Sequence, residues 1–245
     1  MIKVGVFGAK GRMGAEVCHA VQEAPGLDLA AAIDLGDSRD ALIGADVAVD
    51  FTHPDAVMAN IAWCVEHGVN AVVGTTGFTP ERLDSVRGFL GDEPSVGVLI
   101  ASNFAIGAVL MMHFSKLAAP YFESVEIIET HHPMKADAPS GTAATTARII
   151  AQARAEAGCA PMPDATTQEV PGARGADFDG VRVHSLRLAG LIAHQEVHLT
   201  SAGETLTIID DARSRATYMP GVLAGIAWVS DHKGLTMGLD RVLGL

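Results

Sequence analysis

Over roughly the first hundred positions, short apolar runs alternate with stretches of helical period. The pattern predicts strands over 2–7, 27–33, 46–51, 70–73 and 95–100, with helices over 12–24, 54–67 and 80–90 between them. Pro25-Gly26 and Gly68 stop the first two helices, and Pro80 opens the third. Strand and helix alternating at this spacing predict a parallel sheet covered on both faces.

Beyond residue 105 the pattern changes. A helix over 106–119 leads to an alternating strand over 124–130, and a long helix follows over 140–157. Residues 158–180, rich in Gly, Pro, Asp and Ala, read as a long loop. Strand-like runs over 181–188, 194–199 and 205–209 then succeed one another without helices, which predicts an antiparallel or mixed sheet. A last helix is expected over 217–230. The expected fold class is α/β. A Rossmann-like, doubly wound parallel-sheet domain is expected over 1–105. An α+β domain with a mixed sheet occupies 106–215, and 216–245 packs back on the first.

Composition limits the partners. With 245 residues, 49% of them hydrophobic, there is ample material for a core. No apolar run reaches the roughly 18–20 residues that span a bilayer, so no membrane partner is expected. Residues 1–7 read as a buried strand, too short an apolar stretch for a secretory signal. Cys18, Cys64 and Cys159 are an odd set without CxxC spacing, which fits a reducing cytoplasm better than a disulfide framework. The net charge of −12 argues against nucleic acid but leaves room for small anions, which need only a local positive pocket.

The segment Gly8-Ala9-Lys10-Gly11-Arg12-Met13-Gly14 joins the first strand to the first helix in the spacing G-x-x-G-x-x-G. Glycine there permits a tight turn and lets a pyrophosphate approach the backbone at the helix start. Asp34 ends the second strand about 20 residues after Gly14, where an acid binds the adenosine ribose. That acid opposes a 2′-phosphate, whereas Lys10, Arg12 and Arg39 favour one, so NADH and NADPH are both expected as cofactors. Gly74-Thr75-Thr76-Gly77 and Ala101-Ser102-Asn103-Phe104 follow later strands, at the edge where a parallel sheet binds its ligand. Their small and polar residues suit a nicotinamide ribose and amide.

The densest chemistry lies in His131-His132-Pro133-Met134-Lys135-Ala136-Asp137-Ala138-Pro139-Ser140-Gly141-Thr142-Ala143. Imidazoles move protons near neutral pH, the ammonium attracts an anion, and a helix start offers unpaired N–H groups. His131, His132, His184, His194 and His198 could in principle hold zinc. Neither a cysteine nor an HExxH spacing supports that, and no metal is expected.

This segment, opened by Glu129, closely resembles the signature of the 4-hydroxy-tetrahydrodipicolinate reductase (dihydrodipicolinate reductase) family of lysine and diaminopimelate biosynthesis. The Gly8–Gly14 loop, Asp50-Phe51-Thr52, Gly74–Gly77, Ala101–Phe104, Gly172-Ala173-Arg174-Gly175 and His184–Gly190 resemble further family blocks in the family's order. Ala105 stands where relatives often carry serine.

The resemblance implies an NAD(P)H-dependent oxidoreductase. It would reduce a cyclic dicarboxylate, 4-hydroxy-tetrahydrodipicolinate, to tetrahydrodipicolinate with loss of water. It assigns general acid/base work to His131, proton donation also to Lys135, and substrate contact to His132. The N–H groups and hydroxyl of Gly141 and Thr142 suit one substrate carboxylate. Arg174 and Arg187 are secondary candidates for anion contacts. The resemblance also implies a homotetramer built through the second domain's sheet. The alternatives are another two-domain dehydrogenase acting on a small carbonyl acid and a non-catalytic NAD(P)H-binding regulatory protein.

Overall fold

The computed structural model describes residues 1–245, which divide into two compact units, Met1–Ile106 with Arg215–Leu245 and Gly107–Ser214.

The first unit alternates β1 (Ile2–Phe7), α1 (Arg12–Glu23), β2 (Leu27–Ile33), β3 (Val47–Asp50), α2 (Pro54–Glu66), β4 (Asn70–Val73), α3 (Pro80–Leu90) and β5 (Gly97–Ile100). Every strand pairing is parallel. The strands β3, β4 and β5 are buried along their whole length, as expected of a sheet covered on both faces. Strand β1 lies between β2 and β3, so the chain runs outward from it in both directions. That reversal opens a crevice at the strands' carboxyl ends, where the Gly8–Gly14 loop sits.

The C-terminal part of this unit was only half legible. A tight turn at Arg215–Tyr218 precedes α6 (Met219–Asp231), which packs on α1, β4 and β5 and buries Val222, Ile226 and Val229. A strand the sequence pattern did not predict, β11 (Gly234–Met237), then extends the sheet beside β5, and the short α7 (Asp240–Leu243) follows.

The second unit contains α4 (Ile106–Ala118), whose first residue belongs to the other unit, then β6 (Ser124–His131), α5 (Gly141–Glu156), β7 (Ala176–Phe178), β8 (Val181–Arg187), β9 (Ala193–Ser201) and β10 (Glu204–Ala212). The sheet order is β10-β9-β6-β8-β7. It is mixed, because β6 and β8 run parallel and the other neighbours antiparallel. Ile127, Val183, Val197 and Leu199 form one buried core with Ala143, Ala147 and Ile150 of α5. Alternation then turns Glu126, His184 and His198 to the opposite face, where they line a groove.

Strand β7 lies inside the segment expected to be loop. Its turn to β8 carries Asp179 at φ 52° and Gly180 at φ 92°, the left-handed pair that an Asp-Gly hairpin requires. That dipeptide was the overlooked signal. No helix is long and apolar enough to cross a membrane.

Candidate active site

In the first unit, Gly11 caps α1 without a side-chain hydrogen bond, so backbone N–H groups of the first turn face the loop. Gly8 adopts φ 73°, a left-handed conformation in which a side chain would also approach the Phe51 carbonyl. At Gly14 a Cβ would stand 2.0 Å from the Gly8 oxygen. The loop is thus tightened until only hydrogen fits, which leaves its outer rim to an anion. The residues fit a dinucleotide pyrophosphate on this ground.

A cavity of about 470 Å³ adjoins the loop, lined among others by Gly8, Gly11, Asp34, Arg39 and Thr52. Asp34 accepts hydrogen bonds from the backbone N–H of Lys10 at 2.7 Å and of Leu35 at 2.8 Å. The Leu35 and then the Lys10 bond hold its carboxyl below the usual aspartate range. Arg39 donates Nε to Asn60 Oδ1 at 2.8 Å, and Asn60 in turn donates to the buried Asp50 at 2.7 Å. Lys10 and Arg12 are exposed at the loop.

The two later loops are more uneven than their composition suggests. Gly74 is half-buried and Thr76 exposed, but Thr75 is buried and donates its hydroxyl to Asp50 at 2.8 Å. The Thr75 side chain is therefore engaged within the loop. Ala101 and Phe104 are buried, Phe104 against Phe51 with ring centroids 5.7 Å apart. Ser102 is exposed, and half-buried Asn103 accepts from the Ala105 N–H at 2.8 Å.

In the second unit, β6 delivers Glu129 and His131 to the sheet's end. Glu129 is fully buried, and its Oε2 lies 2.6 Å from His131 Nδ1. Its other oxygen accepts the Ser140 N–H at 3.2 Å. Arg187, at the end of β8, spans both oxygens at 3.0 Å each. Burial alone would raise the Glu129 carboxyl, but hydrogen bonds from Arg187, Ser185 and His131 outweigh it and hold the pKa below the ordinary glutamate value. His131 is shifted down as well, because burial and the nearby charges of Lys135 and Arg187 outweigh the pull of Glu129.

After His131 the chain leaves the sheet. A turn bonds the Lys135 N–H to the His132 carbonyl at 3.2 Å. The Lys135 ammonium lies 2.7 Å from Asp137 Oδ1. Chiefly that hydrogen bond keeps the Asp137 carboxyl below its usual range. A cis Ala138-Pro139 bond leads to Ser140, whose hydroxyl caps α5 by accepting the Ala143 N–H at 3.1 Å. Gly141 opens the helix and is exposed, with nothing within 4 Å of where a Cβ would stand; Thr142 follows half-buried. One short stretch thus holds a neutral-leaning imidazole, a pinned ammonium and an open helix start.

The sequence places Glu129 at the head of the segment and makes Arg187 a secondary candidate for anion contacts, and neither is among the expected site residues. Here Glu129 organises the segment and Arg187 is bound to it. Arg174 pairs with Glu126 and with Asp164, the latter at 3.3 Å. His184 lies 2.8 Å from Glu126, whereas His194 and His198 each lie 2.9 Å from Glu196. His194 and His198 thus share the two oxygens of Glu196 while His184 takes Glu126, and no group of three or more His, Cys, Asp or Glu is arranged to hold a metal ion.

Comparison with known proteins covers both units. Residues 2–104 match the family profile described as dihydrodipicolinate reductase, N-terminus, and residues 107–243 match that described as dihydrodipicolinate reductase, C-terminus. The chain is 62% identical over 246 residues to 4-hydroxy-tetrahydrodipicolinate reductase of Thermobifida fusca (strain YX), covering 100% of both chains. It is 58% identical over 245 residues to the protein of the same name from Cutibacterium acnes, again covering 100% of both. Among solved structures it resembles a dipicolinate-bound dihydrodipicolinate reductase from Paenisporosarcina sp. TG-14, with TM-score 0.88 and 38% identity over 98% of this chain and 99% of the other.

Proposed function

This chain belongs to the dihydrodipicolinate reductase family, and from that premise we propose how its residues divide the reaction. It is an NAD(P)H-dependent oxidoreductase. It reduces 4-hydroxy-tetrahydrodipicolinate to tetrahydrodipicolinate, with loss of water, in lysine and diaminopimelate biosynthesis. Both NADH and NADPH serve as cofactor.

The Gly8–Met13 loop and the start of α1 take the pyrophosphate, and Asp34 takes the adenosine ribose. Lys10, Arg12 and Arg39 offset the Asp34 charge when the ribose carries a phosphate. Backbone groups of Gly74, Thr75, Ala101 and Phe104, with the side chains of Thr76, Ser102 and Asn103, face the nicotinamide end. Residues 1–105 are the dinucleotide-binding domain, 106–215 the substrate domain, and 216–245 the segment that packs back on the first. When bound, the reduced nicotinamide supplies a hydride.

The remaining work falls to the second unit. The N–H groups of Gly141 and Thr142 at the start of α5 bind one ring carboxylate, as a helix N-terminus favours an anion. Lys135 draws the dicarboxylate by charge and serves as proton donor. His131 holds or moves a proton at Nε2, its Nδ1 being tied to Glu129. His132 contacts the substrate. A charge-assisted bond from Lys135 contributes on the order of 1.5–3 kcal/mol. Dipicolinate, a flat dicarboxylate, is expected to occupy the same place.

The observation that carries this reading is the convergence of His131, Lys135 and the open α5 start, the first two each held by a carboxylate. Freshly generated cyclic substrate, mixed with the protein and either reduced nicotinamide, should consume the cofactor. Failure with both cofactors would sink the reading. We further infer a cytoplasmic homotetramer assembled through the outer face of the mixed sheet, where Ile209 is 57% exposed. Sedimentation should give four times the 25.4 kDa chain mass.

A further inference from the structure

We propose that Arg187 is the positioning residue that sets both proton-handling arms of the site, and that it does not contact the substrate. The proposal rests on the reading of the His131–Lys135 segment as the substrate site.

A guanidinium has four terminal N–H groups. In Arg187, Nη1 donates to Glu129 Oε2 at 3.0 Å and to the Leu186 carbonyl at 2.6 Å. Nη2 donates to Glu129 Oε1 at 3.0 Å and to the Asp137 carbonyl at 2.7 Å. Four acceptors thus occupy four donors, and no terminal N–H remains for a carboxylate from outside. An outside anion meets a guanidinium whose terminal N–H groups are already taken, two of them by the fully buried Glu129, which would lose its compensating charge if they were drawn away.

The two arms diverge from this one side chain. Through Glu129, Arg187 reaches His131 Nδ1 and the Ser140 N–H at the entrance to α5. Through the Asp137 backbone it fixes the residue whose carboxylate holds Lys135. The parallel register supplies the reach, since Arg187 is paired with His131 across β6 and β8. Arginine's fork meets both oxygens of one carboxylate and still spans to a carbonyl; a lysine point charge does not.

The arrangement also fixes the tautomer. An ionised Glu129 accepts, so Nδ1 of a neutral His131 carries the proton and Nε2 presents its lone pair. His131 therefore enters the cycle as a proton acceptor, and Lys135 is the group that arrives charged. The charged groups facing His131 are Glu129 on its own strand, Lys135 on the following loop and Arg187 on β8.

Three variants test this against a merely structural role. Glu129→Gln removes the anion that favours the imidazolium, so the His131 limb of the kcat/KM profile should move to lower pH. Arg187→Gln removes a cation and leaves Glu129 to His131, so the limb should move to higher pH. Each should lower kcat about 100-fold, the scale of a displaced acid/base group. The NADH dissociation constant should change less than about 2-fold, because cofactor residues lie in the other unit.

Arg187→Gln alone leaves a buried carboxylate short of partners and lowers Tm. The double variant Glu129→Gln/Arg187→Gln relieves that charge, so Tm should recover while kcat does not. Recovery of kcat together with Tm, or limbs that move the same way or not at all, would overturn the proposal. Absence of turnover in the unaltered protein would overturn the functional reading beneath it.

Discussion

Gly14 faces the carbonyl of Gly8 so closely that a Cβ at position 14 would stand 2.0 Å from that oxygen, 2.7 Å from its carbon and 2.9 Å from Ala9 Cα. All three atoms are backbone, so no side chain can swing aside. Gly14→Ala must spread the turn that bends the chain from β1 into α1. NADH affinity should fall on the order of 100-fold, because the N–H groups no longer converge on a pyrophosphate. Quenching of protein fluorescence by NADH would measure it. Near-normal binding would mean the loop does not cradle the cofactor.

Asp34 has two tasks, and they separate in a substitution. Its carboxylate braces the glycine loop through the Lys10 and Leu35 N–H groups, and in the proposed cofactor site it would repel a phosphate on the ribose. Asp34→Ala removes both effects. NADH should bind about 10-fold more weakly, the scale of one or two charge-assisted hydrogen bonds. NADPH should lose less, since released repulsion offsets the lost brace. The ratio of the two dissociation constants should therefore move toward NADPH. An unchanged ratio would place Asp34 away from the ribose.

These two positions were legible because their chemistry is local. Glycine spacing after a strand and an acid at the next strand's end lie within one βαβ unit. The His131–Thr142 segment was legible for the same reason. Glu129 and Arg187 were only partly so, because their contact depends on pairing β6 with β8, and nothing near either residue announces a bidentate bond. Burial of Thr75 and Phe104 also follows from packing: a Gly-Thr-Thr-Gly loop does not reveal which hydroxyl Asp50 takes. Strand β11 was missed because the four residues Gly234–Met237 are strand only through pairing with β5.

Lys135 should separate substrate from cofactor. Its ammonium lies in the second unit and is pinned by Asp137. Lys135→Ala should lower kcat/KM about 1000-fold, combining a lost charge contact with a lost proton. NADH binding should stay within about 2-fold of normal. Asp137→Asn keeps the ammonium but loosens it, and should cost only about 10-fold. Equal losses in both variants would show that the ion pair itself, rather than the ammonium, is what the reaction needs.

Gly141→Ala offers a test of the carboxylate site in which stability and function move apart. A methyl group there meets nothing within 4 Å, so the fold accommodates it. Alanine also favours a helix over glycine by about 0.5–1 kcal/mol, so Tm should hold or rise. The same methyl intrudes where a carboxylate would approach the first N–H groups of α5. KM for substrate and the dissociation constant of dipicolinate should each rise about 10-fold. Normal KM with raised Tm would assign the carboxylate elsewhere.

Acid should weaken the second unit, and the sign follows from the shifts. Glu126, Glu129 and Glu196 all have folded pKa values below the ordinary 4.5. The stability from their pairing is complete above 4.5 and is lost as pH falls through the lower folded values. His131 acts in the same direction, being depressed below 6.5: the unfolded chain takes up its proton first, so stability begins to fall below about 6.5. His194 runs oppositely, because its pKa is raised; its contribution is complete below 6.5 and fades as pH rises through the folded value. Asp210 opposes as well, because burial raises its carboxyl, but Asp137, Asp164 and Asp211 are lowered like the three glutamates, so six carboxylates and His131 outweigh His194 and Asp210 on the acid side. Tm from scanning calorimetry should therefore decline gently from pH 6.5 and steeply below pH 4.5. Glu129→Gln should start lower at pH 7 yet fall less steeply, because a neutral amide has no proton to gain. Parallel curves for the two proteins would show that the Glu129 charge does not set the acid limit.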